Sequence, residues 1–252
     1  MANKEVARRE TDSVAILPAD LAGDWGTESV DSTDIVIPKL LLMHPTSELV
    51  QGASAQGGDL VRSTDNVKLG DKNKPVKLIP FMMFKTWVEN KFKDGQYRWD
   101  HERPYTAENS NDAWEYELNG DKWKRQKALN FYALLLQDIA SSDGFPLPIK
   151  LQFKSASLKA GRVLANHFGV CKMMKKPPVI KIFNIGSELV KGDKNTYQVF
   201  TVAVGENSTI EQMQACKSWY TTISESIGKV KDHNVSDAET IADDGKVDVG
   251  DY

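Results

Sequence analysis

Apolar and polar positions alternate with a period of two through much of the middle of the chain, and the elements this predicts are mainly strands. Ile35 to Met43 is an apolar run interrupted by Pro38, which suits an edge strand or a strand entrance. Val76 to Val88 is β-branched or aromatic toward both faces, so a central strand is expected there, with a bulge or break at Pro80. Around Asn119-Gly120, the preferred pair for a two-residue type I′ turn, Trp114 to Arg125 reads as a hairpin. That turn sets Leu118 opposite Asp121, Glu117 opposite Lys122, Tyr116 opposite Trp123, Glu115 opposite Lys124 and Trp114 opposite Arg125. One face then holds two Glu-Lys pairs, and the other gathers Trp114, Tyr116, Trp123 and Arg125.

Lys127 to Ile139 is apolar on both faces and is taken as a strand, paired through the Ser141 to Gly144 turn with Lys150 to Lys154. Val179 to Ile185 and Thr196 to Val204 form a further pair. The period changes to that of a helix near Ser155, where Leu158, Gly161, Ala165 and Phe168 make an apolar stripe that ends around Gly169. A second helix starts at a Ser208/Glu211 capping box, with Met213, Cys216, Tyr220, Ile223 and Ile227 as its core-facing stripe. The expected fold class is therefore mainly β (α+β).

The chain has 252 residues, enough to bury a sizeable core, and no internal repeat. The folded body is placed at 35–228, with polar, acidic and disordered segments at 1–34 and 229–252. No apolar run approaches the ~20 residues of a membrane span. The first ten residues are charged throughout, so export and membrane insertion are not expected. Cys171 and Cys216 have no CxxC neighbour, which fits a reducing cytoplasm; His167 and Cys171 alone make too few ligands for zinc. No P-loop, GxGxxG, GxSxG or HExxH occurs, so neither enzyme activity nor a cofactor is expected, although scattered carboxylates could in principle assemble a divalent-metal nuclease.

Charge divides the chain more sharply than its net value of -3 indicates. Residues 1–34 carry -5 and residues 232–252 carry -6, leaving +8 on the body between them. Pro146 to Phe200 alone holds ten basic side chains against two acidic ones. Such a field attracts polyanions, unless it is simply a solvated face. Basic and aromatic residues also interleave, as in Phe84-Lys85-Thr86-Trp87, Lys91-Phe92-Lys93, Tyr97-Arg98-Trp99 and Lys122-Trp123-Lys124-Arg125. Single-strand binding needs both kinds, cations for phosphates and rings for unpaired bases. The candidate phosphate contacts are Lys85, Lys91, Lys93, Arg98, Lys124, Arg125, Lys150, Lys154, Lys159, Arg162 and Lys181. The candidate stacking platforms are Trp87, Phe92, Trp99, Trp114, Tyr116 and Trp123, with Phe92 and Trp99 in polar loops and so the more exposed.

The order of these parts, a β-rich body, an aromatic and basic middle and an acidic tail ending Asp251-Tyr252, resembles the single-stranded-DNA-binding proteins encoded by tailed phages. The segments Ile35-Val-Ile-Pro-Lys-Leu-Leu-Leu-Met43 and Phe153-Lys-Ser-Ala-Ser-Leu-Lys-Ala-Gly-Arg162 resemble phage replication and recombination proteins of this kind. The resemblance implies an OB-like barrel with flanking helices and sequence-independent binding of single-stranded DNA in replication or recombination, within the host cytoplasm. It also implies that the tail, through Asp243, Asp244, Asp248, Asp251 and Tyr252, regulates DNA access and docks phage or host replication proteins. Strand annealing and a regulatory or structural role without DNA are the alternatives. Oligomeric state, a dimer included, is left open.

Overall fold

A computed structural model describes residues 36–141, 146–192 and 196–225, together with the backbone of 231–232. The expected arm at 1–34 and nearly all of the tail at 229–252, including Asp243, Asp244, Asp248, Asp251 and Tyr252, lie outside the described residues. The first half of the body comprises β1 (Val36–Ile37), β2 (Leu40–Leu42), α1 (Glu48–Gln51), β3 (Leu60–Arg62), β4 (Lys68–Gly70), β5 (Val76–Lys93), β6 (Gln96–Pro104) and β7 (Glu115–Leu118). There follow β8 (Asp121–Leu135), α2 (Leu136–Ala140), β9 (Pro148–Phe153), α3 (Leu158–Met173), β10 (Lys181–Lys191), β11 (Thr196–Asn207), α4 (Ile210–Glu225) and β12 (Lys231–Asp232). The fold is mainly β and its strand pairs are almost all antiparallel, as expected.

The apolar alternation is longest in β5 and β8, and these two strands form the spine of a seven-stranded sheet, running antiparallel from Leu78 opposite Leu135 to Lys91 opposite Trp123. The register shifts between Pro80 and Met82, where proline has no N–H to give the ladder. Each spine strand outruns its neighbours, so different strands flank its two ends. At the body end β10 pairs with β5 and β9 with β8; at the outer end β6 pairs with β5 and β7 with β8. A three-stranded sheet, β2-β3-β4, meets the large one through a single parallel bridge between Lys39 and Lys150. The Lys150 N–H donates to the Pro38 carbonyl at 2.8 Å, and the Ser187 hydroxyl donates to the Gly58 carbonyl, drawing the small sheet over the core.

The alternation of β8 sorts the core into two layers. Leu129, Phe131, Ala133 and Leu135 face α3 and the small sheet, while Tyr132 and Leu134 face α4. Gly161 lets α3 approach β9 closely: a Cβ there would lie 2.7 Å from that of Phe153.

Several expected boundaries move. The strand from Lys127 ends at Leu135, and Leu136–Ala140 turns as a short helix. The α3 helix runs past Gly169 to Met173, since burying Cys171 outweighs the roughly 1 kcal/mol cost of an interior glycine. The α4 cap is Thr209 with Gln212, not Ser208 with Glu211: the Gln212 N–H donates to the Thr209 hydroxyl at 3.3 Å, and the Thr209 N–H to the Gln212 side chain at 2.9 Å. Cys216 and Ile223 face the core, but Tyr220 is half exposed, and Ile227 lies outside the described residues. Residues 231–232 return to pair in parallel with Val36–Ile37.

Candidate nucleic-acid interface

The outer end of the sheet is built from two tight hairpins. Asn119 and Gly120 have φ of 55° and 82°, the left-handed values a type I′ turn requires, and the β7-β8 register is the one expected from that turn. Asp94 and Gly95, at 51° and 83°, make the same turn between β5 and β6 and pair Lys93 with Gln96 and Phe92 with Tyr97. Phe92 and Trp99 are therefore strand residues, not loop residues. Because side chains alternate across the sheet, the two faces of this outer end differ completely in character.

On the face continuous with α3 the charges are spent on one another. The Arg103 guanidinium donates to Glu89 at 2.6 Å and to Asp112 at 2.5 Å, Arg125 donates to Asp112 at 2.6 Å, and the Tyr116 hydroxyl donates to Glu89 at 2.8 Å. Glu89 is buried, and Arg125 lies buried over the Tyr116 ring, 4.0 Å from its centroid. The Arg103 hydrogen bond, with Arg125 alongside, holds the Asp112 carboxyl below the usual range, and burial with the Glu89 bond raises the Tyr116 phenol. Trp87 is buried and its indole N–H donates to Asn109, which pins the loop after β6 across the sheet. Trp123 is buried against Tyr116, and Lys91 is paired with Asp121 at 2.5 Å. Lys85 is exposed here beside the Tyr105 ring. Arg125, Trp87 and Trp123 thus hold the structure together and present no surface to a ligand.

The opposite face, continuous with the α4 side, is an open ledge of rings and cations. Register places Phe92, Tyr97, Trp99, Lys122 and Lys124 on it. The Lys124 ammonium sits 5.6 Å from the Tyr97 ring centroid and 5.5 Å from that of Trp114. Trp114 has therefore left the group expected around Arg125, since the chain enters β7 only at Glu115. Phe92 meets Tyr97 edge-on at 5.1 Å. Phe92 is 40% and Trp114 48% exposed, with Trp99 half-buried. Lys122 is exposed and has no ion pair among the described residues, and Lys124 reaches a carboxylate only at 3.8 Å; Lys93 and Arg98 are exposed too, but register turns them to the α3 face beside Lys91. Tyr97 and Lys122 were not among the expected site residues; the signal for Tyr97 was the Asp94-Gly95 turn, and that for Lys122 the Asn119-Gly120 turn that pairs it with Glu117.

The basic segment further along does not join this ledge. Lys150 is 1% exposed and bonds Glu102 at 3.2 Å, so it holds no phosphate at the surface. Burial alone would raise the Glu102 carboxyl, but Lys150, Lys39 and the Gln152 amide outweigh it and hold it below its usual value. Lys154 is half-buried after β9 and Lys181 half-buried at the start of β10. Lys159 and Arg162 are exposed on α3, across the sheet from Lys124.

Among the described residues, no group of three or more His, Cys, Asp or Glu side chains could hold a metal ion. Burial pushes the Cys216 thiol up to about 12 and raises that of Cys171, while His167 is bonded to the Pro178 carbonyl at 2.7 Å. No helix among the described residues is long and apolar enough to cross a membrane.

Residues 9–235 match the family model described as Pam3 phage gp34-like protein. No curated protein and no solved structure matches the chain.

Proposed function

The chain belongs to the Pam3 phage gp34-like protein family, and from that footing we propose that it binds single-stranded DNA without regard to sequence, in phage replication or recombination. The observation that supports this reading is the ledge around Lys124, where two rings flank one cation and a third ring, Phe92, packs on the second. Unpaired bases stack on exposed rings at about 1–3 kcal/mol each, whatever their identity, and the same rings have no access to bases held inside a duplex. Lys122 and Lys124 stand on the same face as these rings, where a sugar-phosphate backbone would run. The site selects by flexibility and stacking. It calls for no cofactor and no catalytic step.

The test is a titration of the full chain with fluorescently labelled oligothymidine and with duplex of equal length, at several salt concentrations. The reading predicts tighter binding to the single strand, with affinity falling linearly on a logarithmic salt scale, by about 0.7 per phosphate neutralised. Equal affinity for both forms, or none for either at low salt, contradicts it.

A further inference from the structure

We propose that the outward face of α3 is the docking site for the chain's own acidic C-terminal segment, residues 233–252. The inward side of this helix is used by the core, through Gly161, Leu164 and Cys171. Its outward side is mixed: exposed Asn166 lies among apolar residues that a wholly solvated face would not carry. Val163, Val170 and Met173 recur at i, i+7 and i+10 and are 37%, 46% and 78% exposed. No described element covers them. Lys159, Arg162 and Lys172 are exposed beside this stripe, and the whole stretch from Gly144 to Ser187 contains eight basic and no acidic residues. An apolar stripe rimmed by uncompensated cations fits an occupant with the inverse pattern, acidic with apolar residues interspersed. Unbranched Met173 adapts readily to such a partner.

The segment 233–252 has that pattern. It carries six acidic residues against one lysine, interrupted by Val235, Ile241, Val247, Val249 and Tyr252. Its starting point is near enough. Asp232 pairs with Ile37, Ile37 packs with Val179 in the α4-side core, and the turn at Pro178–Ile180 is bonded to α3 through the Pro178 carbonyl and His167 at 2.7 Å. Twenty further residues reach about 66 Å when extended, far more than the path along α3 requires. Docked there, the tail occupies the α3 cations on the side of the sheet away from the Lys124 ledge, and leaves that ledge open.

The experiment replaces Met173 in the full chain with a benzophenone amino acid, irradiates it without DNA, and maps the cross-linked peptides by mass spectrometry. Met173 is exposed enough that the fold tolerates the change; Val170, treated identically, provides a second position. The same probe at Ile210, exposed at the start of α4 on the far side of the sheet, is the control. Cross-links from Met173 and Val170 to 233–252 of the same chain are expected, with none from Ile210. Their yield should fall about five-fold or more when salt rises from about 0.05 M to about 0.5 M, or in D243N/D244N/D248N. Cross-links that map elsewhere, that join two chains, that reach the tail equally from Ile210, or that fail to form at both α3 positions overturn the proposal. Since no DNA is present, the result is independent of whether the ledge binds it.

Discussion

The Lys124 ammonium lies between Trp114 and Tyr97, 5.5 and 5.6 Å from their ring centroids, and so ties the approach to β7 to the β6 edge across two intervening strands. One cation thereby sits between two rings on an open face. Removing a ring here takes away surface available to a ligand but little that the fold depends on.

Trp114→Ala is therefore expected to weaken binding to oligothymidine by about 5- to 150-fold, the equivalent of about 1–3 kcal/mol for a lost stack. Because Trp114 is 48% exposed, stability to urea should change by only about 0.5 kcal/mol. Fluorescence anisotropy and urea unfolding on the same preparation check the two halves together.

Cations on the two faces should separate in a salt titration. Lys122→Ala or Lys124→Ala is expected to lower the slope of log affinity against log salt by about one phosphate's worth. Arg125→Ala should leave that slope unchanged and cost about 3 kcal/mol of stability, since it leaves the buried Glu89 and the Asp112 carboxylate short of a partner.

Much of the outer sheet was legible in the sequence, because turn chemistry is local. Asn119-Gly120 determines a register, and every pair from Leu118–Asp121 to Glu115–Lys124 follows from it. Asp94-Gly95 carries the same signal, but the polar residues around it read as loop, so the pairing that brings Tyr97 beside Phe92 does not follow from that reading. What could not be read was long-range pairing. Lys150 is indistinguishable in sequence from Lys154, and its burial comes from β9 lying beside β8, which delivers it to Glu102, 48 residues away. Arg125 likewise looked like part of a basic run until Asp112 and Glu89 converged on it.

The Glu102–Lys150 pair makes stability depend on pH with a definite sign. The folded carboxyl titrates below its ordinary 4.5, so its contribution is complete above that value and is lost as pH falls through the lower folded one. Glu102→Gln strands the Lys150 charge and should cost about 3 kcal/mol at neutral pH. The gap between wild type and variant, read from urea midpoints, should narrow steadily below pH 4.5. A gap that stays constant down to about pH 3 would show that the Glu102 carboxyl titrates alike in the folded and unfolded chain, and would contradict this.

Two glycines of α3 should respond in opposite directions. Gly161→Ala drives a Cβ to 2.7 Å from Phe153 and is expected to cost about 1–3 kcal/mol. Gly169→Ala meets nothing within 4 Å and should stabilise the helix by about 0.5–1 kcal/mol. Thermal unfolding of both variants distinguishes them.

The six tryptophans offer the most direct view of the proposed interface, since each indole N–H gives its own resonance. Spectra of the nitrogen-15-labelled chain would be recorded as oligothymidine is added, with Trp114→Phe and Trp99→Phe assigning the two signals that matter. Single-strand binding on the ledge predicts that the Trp114 and Trp99 indoles shift, while the buried Trp87 and Trp123 stay in place. Shifts confined to Trp87 and Trp123, or six unmoved indoles at saturating oligonucleotide, would contradict it.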